Sequence, residues 1–357
     1  MKIGIILHPY GEEKQGGLGR SIFERAKALL ETDTQNEYTL FLKEMPTQPV
    51  EFPGSNWKTE VLGGGLFWIE RLRKRDRQDV YIFNTPILPL FGELSRTIVI
   101  AHDFGYWYFG RDNFFGKCRA IVLFLYNYFS LRSADHIIAV SQTTKEEVMR
   151  LFRMPEKKIK VIYSGYKKIC DIPGETKDVP RYFFFYLGAL KERKNVLNIV
   201  KAFGEFAVSH KNYSLVLTGN PVGAYYERIH AYIKERGIES RVSFLGYISD
   251  AELSYVYKKA RAFVFPTLTE GFGFSVLEAL DCGVPVITSN QSSLKEVGGE
   301  AALLVDPYNV RDIASAMEKI LKKDVRIRCI KQGYEHVKKF SWHTAAEELL
   351  DVIRTNN

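Results

Sequence analysis

The sequence predicts an α/β protein of two doubly wound, Rossmann-like domains facing each other across a cleft. Three observations predict it. Short apolar runs alternate with helix-period segments along nearly the whole chain, the pattern of parallel strands covered on both faces. The alternation lapses over residues 157–178, which turn polar and irregular toward Pro173, Gly174 and Pro180 after an apolar run at 159–162. A length of 357 residues suits two domains of ordinary size, each able to bury its own core. The expected division is residues 1–170 and 171–340, with a helical tail from Ser341.

In the first half, residues 2–7, 38–42, 80–83, 97–101 and 136–140 read as strands. Residues 22–30 read as a helix, with Ile22, Phe23, Ala26, Leu29 and Leu30 at helical spacing. Residues 114–131 form an aromatic-rich helix, apolar on several sides, and Ser141 is a helix start signal. In the second half, strands are expected at 182–187, 214–218, 242–245, 262–265, 284–287 and 302–305, and helices at 196–208 and 225–236. Ligands of open α/β sheets bind at the carboxyl ends of the strands, so the residues just past each run are the candidates.

A hydrophobic fraction of 46% and a charged fraction of 26% are those of a soluble globular chain. Cys118, Cys170, Cys282 and Cys329 lie far apart with no metal-ligand spacing, and reduced thiols in a cytosolic chain are expected. The first residues, MKIGIILHPYG, read as a buried strand, too short in apolar run for a signal peptide. The longest apolar stretch, 121–131 with Asn127 inside it, falls well short of the roughly 20 residues that cross a bilayer. The net charge is +8, and Arg71, Arg73, Lys74, Arg75 and Arg77 crowd one segment, directly after Leu66-Phe67-Trp68-Ile69. That segment is either a solvated helix face or an amphipathic patch that leans on an anionic membrane or a lipid-diphosphate acceptor. No nucleic-acid motif accompanies the charge.

The densest chemistry lies at residues 266–288, PTLTEGFGFSVLEALDCGVPVIT. An apolar strand runs into Pro266, so the chain must leave the sheet there. Gly271 and Gly273 allow a tight turn and close backbone approach to a ligand. A helix pattern follows from about Ser275, with Gly283 at its C-terminal cap. A glycine turn feeding a helix N-terminus suits a phosphate, and two carboxylates, Glu270 and Glu278, flank it with seven residues between them. The turn alone is also what any strand-to-helix connection looks like; the paired glutamates favour a site.

Three further stretches follow strands. Gly16-Gly17-Leu18-Gly19-Arg20 is either a flexible loop or a ligand loop, and it lacks dinucleotide glycine spacing. His102-Asp103 is either a local hydrogen-bonding pair or a ligand contact. Lys191-Glu192-Arg193-Lys194-Asn195 is either a charged turn with Asn195 capping the next helix or a cationic clamp on a diphosphate.

Glu270-Gly271-Phe272-Gly273, Glu278-Ala279, Gly283-Val284-Pro285-Val286-Ile287 and residues 301–307 closely resemble the donor-binding half of family 4 retaining glycosyltransferases. The resemblance is dense from Tyr182 to Val305 and thinner through the first half. It implies the GT-B architecture, with residues 341–357 packing back on the N-terminal, acceptor-side domain. It implies Glu278 on a ribose, Gly271, Phe272, Gly273, Phe274 and Ser275 on phosphate with Arg193 and Lys194, and Glu270 on the transferred sugar. His102 would bind sugar hydroxyls, Gly17 would contact the donor through its backbone, and Tyr247 and Ile248 would lie on the base side. The family commonly carries an arginine where this chain has Ala189, and Arg193 is the candidate replacement.

The implied activity is a metal-independent, retaining transfer of a hexose to a glycan or lipid-linked glycan hydroxyl, in surface polysaccharide synthesis. No Asp-x-Asp motif is present and no cofactor is expected beyond the donor itself. Arg193-Lys194-Asn195 with Ser292-Ser293-Leu294 looks like members that use GDP-mannose, with a UDP-hexose as the alternative donor. The expected location is the cytoplasm, at the inner membrane face. A sugar-nucleotide epimerase or a silent nucleotide-sugar binding subunit would share the fold. The epimerase would need acid/base residues that cannot be placed, and a silent subunit would tend to lose Glu270, Lys194 or His102.

Overall fold

The structure, a computed structural model, describes residues 1–10, 17–46, 51–65, 67–111 and 113–355. Gly16, Leu66 and the last two residues of the tail lie outside them. The chain divides into two compact units, Met1–Gly165 with Phe340–Asn357, and Tyr166–Lys339.

The first unit holds β1 (Lys2–Ile6), α1 (Gly17–Thr32), β2 (Glu37–Leu42), β3 (Trp57–Val61), β4 (Val80–Phe83), β5 (Arg96–Ala101), α2 (Phe114–Ser133), β6 (His136–Ala139), α3 (Gln142–Phe152) and β7 (Ile159–Val161). Among the described residues its strands form one parallel sheet, ordered β3-β2-β1-β4-β5-β6-β7. Gly4 in β1 faces the Phe41 and Tyr81 rings so closely that a Cβ there would lie 2.9 Å from each. The strand β3 escaped the sequence reading, because Trp57-Lys58-Thr59-Glu60-Val61 is an edge strand, exposed to half-buried throughout. The helix α1 reaches back to Gly17, so Gly17 and Gly19 form its first turn and are not loop.

The second unit holds β8 (Phe183–Tyr186), α4 (Val196–Ser209), β9 (Ser214–Leu217), α5 (Ala224–Glu235), β10 (Val242–Phe244), α6 (Asp250–Lys259), β11 (Ala262–Phe265), α7 (Phe274–Asp281), β12 (Val286–Ser289), α8 (Ser292–Gly298), β13 (Ala302–Val305), α9 (Val310–Lys319) and α10 (Lys323–His336). Its parallel sheet is ordered β10-β9-β8-β11-β12-β13. The strand β8 is Phe-Phe-Phe-Tyr, buried on both faces, with Phe184 edge-on to Phe206 and Phe185 edge-on to Tyr257.

The last helix, α11 (Trp342–Arg354), belongs to the first unit and packs on α1. Its Val352 and Ile353 carbonyls accept from the Arg96 guanidinium at 2.5 and 2.8 Å.

Each sheet winds outward from its first strand, then returns to that strand's other side and continues. The reversal lies between β1 and β4 in one unit and between β8 and β11 in the other. At such a reversal the connections leave on opposite faces and open a crevice at the strands' carboxyl ends.

One expectation needs correction. Cys170 and Cys282, 112 residues apart, are joined as a disulfide, while Cys118 and Cys329 are free. Their spacing gave no sign of it, since only the tertiary fold brings the 170s beside the end of α7. Next to it the Tyr166 hydroxyl donates to Asp281 at 2.8 Å. The basic segment fits the first of its two readings, a solvated face. Trp68, Ile69 and Leu72 are buried in the core, and Arg71 and Arg75 donate to the Leu62 and Val61 carbonyls. The apolar side of that segment faces inward, with Phe67 alone of residues 67–69 exposed.

Candidate active site

In the second unit the reversal sets two connections side by side. The turn after β8 carries Arg193 and Lys194, and the turn after β11 carries Glu270. Lys194 Nζ donates to Glu270 Oε1, and Arg193 Nη1 lies 3.7 Å from Glu270 Oε2. The Phe265 ring, 5.1 Å from Lys194 Nζ, supports the ammonium from beneath. The Lys194 and Glu270 side chains are 15% and 12% exposed, so each charge interacts at much lower dielectric than in water.

The two turns are tied through the backbone. Leu268 N–H donates to the Arg193 carbonyl at 2.9 Å. Asn195 adopts a left-handed conformation (φ 60°), which asparagine tolerates. It does not cap α4 with its side chain, as expected from sequence. Its Nδ2 instead donates to the carbonyls of Pro266 and Pro307, at 2.9 and 2.6 Å.

Beyond Glu270 the chain turns through Gly271, Phe272 and Gly273 into α7. Gly273 has φ +116°, and a Cβ there would lie 2.7 Å from Leu294 Cδ2, so both backbone and space require glycine. The buried Ser293 hydroxyl donates to the Glu270 and Phe272 carbonyls, 2.8 Å from each. Phe272 is buried and packs on the Phe274 ring at 5.1 Å. What this turn presents beside Lys194 is therefore backbone, with Ser275 half-buried on the first turn of α7. The positive end of the helix dipole points there.

Glu278 is 7% exposed, one turn into α7. Burial raises the Tyr257 phenol well above its ordinary value, and the Glu278 carboxylate pushes the same way. The Tyr257 hydroxyl donates to the Ser275 carbonyl at 3.2 Å, which fixes the helix start from behind.

The connections after β8, β9 and β10 also meet. Gly219 N–H donates to the Gly246 carbonyl at 3.1 Å, and Gly188 N–H donates to Thr218 Oγ1 at 2.9 Å. Tyr247, next along, is 92% exposed, whereas the Ile248 side chain is buried.

In the first unit, His102 ends β5 and its Nε2 lies 3.0 Å from the Asn84 carbonyl. A carbonyl only accepts, so Nε2 carries the proton and Nδ1 is left as an acceptor. Asn84 ends β4 and holds three elements. Its Nδ2 donates to the Ile6 carbonyl at 3.0 Å, and its Oδ1 accepts from Arg25 Nη1 at 3.2 Å. Arg25, buried on α1, also donates to Ser164 Oγ at 3.1 Å and lies 5.7 Å from the Trp342 ring centroid. Burial pushes the His102 pKa down to about 3, the Arg25 cation adds to that, and the Asn84 bond partly opposes it. Gly17 begins α1, and a Cβ there would meet nothing within 4 Å.

The structure thus brings Arg193, Lys194 and Glu270 into contact beside Gly271 to Ser275, with Glu278 on the same helix. His102 and Gly17 belong to the other unit. Asn84 and Arg25 were not singled out from sequence as site residues, and Ser293 was read only within the Ser292-Ser293-Leu294 run. Asn84 carried the same signal as His102, a polar residue directly after a strand. Arg25 carried another, a charge between Ile22 and Leu29 on the apolar face of a helix.

The description "Glycosyl transferases group 1" matches residues 171–336, and "Glycosyltransferase Family 4" matches residues 15–167. O-antigen chain mannosyltransferase B of Escherichia coli is 31% identical over 292 residues, covering 78% of this chain and 75% of that one. The serotype-specific mannosyltransferase WbdA of E. coli is 29% identical over 269 residues, 72% of this chain but 33% of WbdA. The chain thus spans about a third of WbdA's length. Among solved structures, Anabaena HepE, in complex with UDP and glucose, is 17% identical with a TM-score of 0.77 over 100% of both chains, a likeness of fold.

Proposed function

The chain belongs to the family 4 glycosyltransferases, and we propose that it is a retaining hexosyltransferase acting in surface polysaccharide synthesis. The donor is a nucleotide diphosphate sugar and the acceptor a hydroxyl of a glycan or lipid-linked glycan. The observation that carries the reading is the Lys194–Glu270–Arg193 cluster beside the N-terminus of α7, at the reversal of the second sheet. GDP-mannose is the first donor, supported by the mannosyltransferases among the relatives. A UDP-hexose is the second, supported by HepE having been solved with UDP and glucose.

In this reading Glu278 holds the ribose, and the turn at Gly271 to Ser275 faces the diphosphate with the dipole of α7. Lys194 and Arg193 stabilise the negative charge that develops on the diphosphate as the sugar's C1–O bond breaks. The acceptor oxygen bonds to C1 from the same face, and its proton passes to the departing phosphate oxygen. Glu270 and the Nδ1 of neutral His102 accept hydrogen bonds from sugar hydroxyls and orient the ring. No cofactor beyond the donor enters these steps. Among the described residues no helix is long and apolar enough to cross a membrane. We place the reaction at the cytoplasmic face of a membrane.

Glu270→Gln tests the assignment. Turnover should fall by about 100-fold, the scale of losing one charged orienting contact, with nucleotide affinity nearly unchanged. An equal loss of both would remove Glu270 from the sugar.

A further inference from the structure

Lys194 reaches Glu270 from a turn that has little structure of its own. A single 3₁₀ turn, Glu192–Lys194, is closed by Lys194 N–H to the Lys191 carbonyl at 2.9 Å and Asn195 N–H to the Glu192 carbonyl at 2.8 Å. So short a turn cannot by itself hold a lysine, with its flexible four-carbon stem, in one place. The next residue, Asn195, is 4% exposed and lies in the left-handed region, with φ 60° and ψ 26°. Its side-chain amide spans two exits of the sheet. It donates to the carbonyl of Pro266, directly after β11 and four residues before Glu270, and to that of Pro307, two residues after β13.

Residue type and placement say what this amide is for. Two carbonyls face it and carbonyls only accept, so two N–H groups are needed on one atom. Among short side chains that tolerate a left-handed backbone, asparagine alone supplies them. Glycine takes the conformation without a donor, and aspartate would set carboxylate oxygens against both carbonyls. An asparagine before a helix ordinarily caps it, yet α4 receives no side-chain cap from Asn195. The amide instead joins the residue next to Lys194 to the strand exit that leads to Glu270.

We propose that Asn195 is the positioning residue for Lys194, an inference that rests on the charge-stabilising role proposed for Lys194 in the transfer. Asn195 touches no substrate. Its two hydrogen bonds set the Lys194 ammonium where charge develops on the diphosphate, and a shift on the order of 1 Å there costs about 100-fold in rate. Nucleotide affinity, supplied in this reading by Glu278 and the start of α7, does not depend on it.

A double-mutant cycle on nucleotide release from GDP-mannose and UDP-glucose tests this, because a residue that acts through Lys194 has nothing to position once that side chain is gone. Asn195→Gly keeps the left-handed backbone and removes both donors. Its release rate should fall about 10- to 100-fold, with affinity for free GDP or UDP within about threefold of wild type. Lys194→Ala should fall by about 100-fold or more, and adding Asn195→Gly to it should cost less than about threefold further. Asn198→Ala, which also gives up a bond to the Pro307 carbonyl, should release nucleotide like wild type. If Asn195→Gly does not fold, Asn195→Asp goes through the same cycle. Three results would overturn the role of Asn195 alone. They are wild-type release by Asn195→Gly, an equal loss in Asn198→Ala, or the same fold-loss with and without Lys194, which marks a merely structural staple. Undiminished release by Lys194→Ala would instead remove the charge role itself, and no release by the wild type from either donor would remove the transfer reading; Asn195 loses its role with each.

Discussion

Asn84 meets Ile6, Arg25 and His102 through three different atoms, so one side chain and its carbonyl fix the imidazole at the end of β5. With the His102 pKa held near 3, the ring stays neutral throughout the range where proteins work. The unfolded chain takes up a proton there below its ordinary value near 6.5, and the folded chain does not until about 3. Between those values the unfolded state binds more protons, so His102 makes stability rise with pH. Urea unfolding between pH 4 and 7 should therefore show a shallower pH slope for His102→Asn than for wild type. Equal slopes would mean that the imidazole titrates normally. His102 was legible as a strand-end residue. Arg25 was not read, because its partners Asn84 and Ser164 lie 59 and 139 residues away in sequence.

The helix α7 and the turns that support it show what sequence can and cannot convey about an element. The strands β11 and β13 fall at the expected residues, since each is a continuous apolar run; β11 is buried throughout, whereas β13 is an edge strand that leaves Leu304 exposed. Gly283, with φ +67°, follows α7 where a left-handed terminator was expected. The meeting of Lys194 with Glu270 required the strand order, because their turns become neighbours only when β11 returns beside β8. Asn195 looked like a cap for the same reason; its two acceptors lie 71 and 112 residues away. Gly273→Ala should strain the start of α7 by about 1–3 kcal/mol, from the forbidden φ and the contact with Leu294. The thermal midpoint should fall, and nucleotide affinity should fall further than at an exposed control site. An alanine variant that binds and melts like wild type would show that the turn relaxes freely.

At the scale of the whole chain, the final helix determines whether the first unit is complete. Ala345, Leu349, Leu350 and Ile353 of α11 are 1–4% exposed. Ending the chain at Phe340 should uncover α1 and remove burial of about 5 kcal/mol or more, much of a domain's stability. Proteolysis should then degrade the first unit while the second retains nucleotide binding; a truncated chain that resists protease as wild type does would contradict this. Whether the second unit holds a nucleotide diphosphate sugar and labilises its sugar can be measured directly. Nucleotide release should be measured from a panel of GDP- and UDP-sugars with wild type and Glu278→Ala, beside thermal shifts with the free nucleotides. Release is expected from one donor, GDP-mannose first, abolished or nearly so in Glu278→Ala. Absence of both binding and release with every nucleotide in the panel would contradict it.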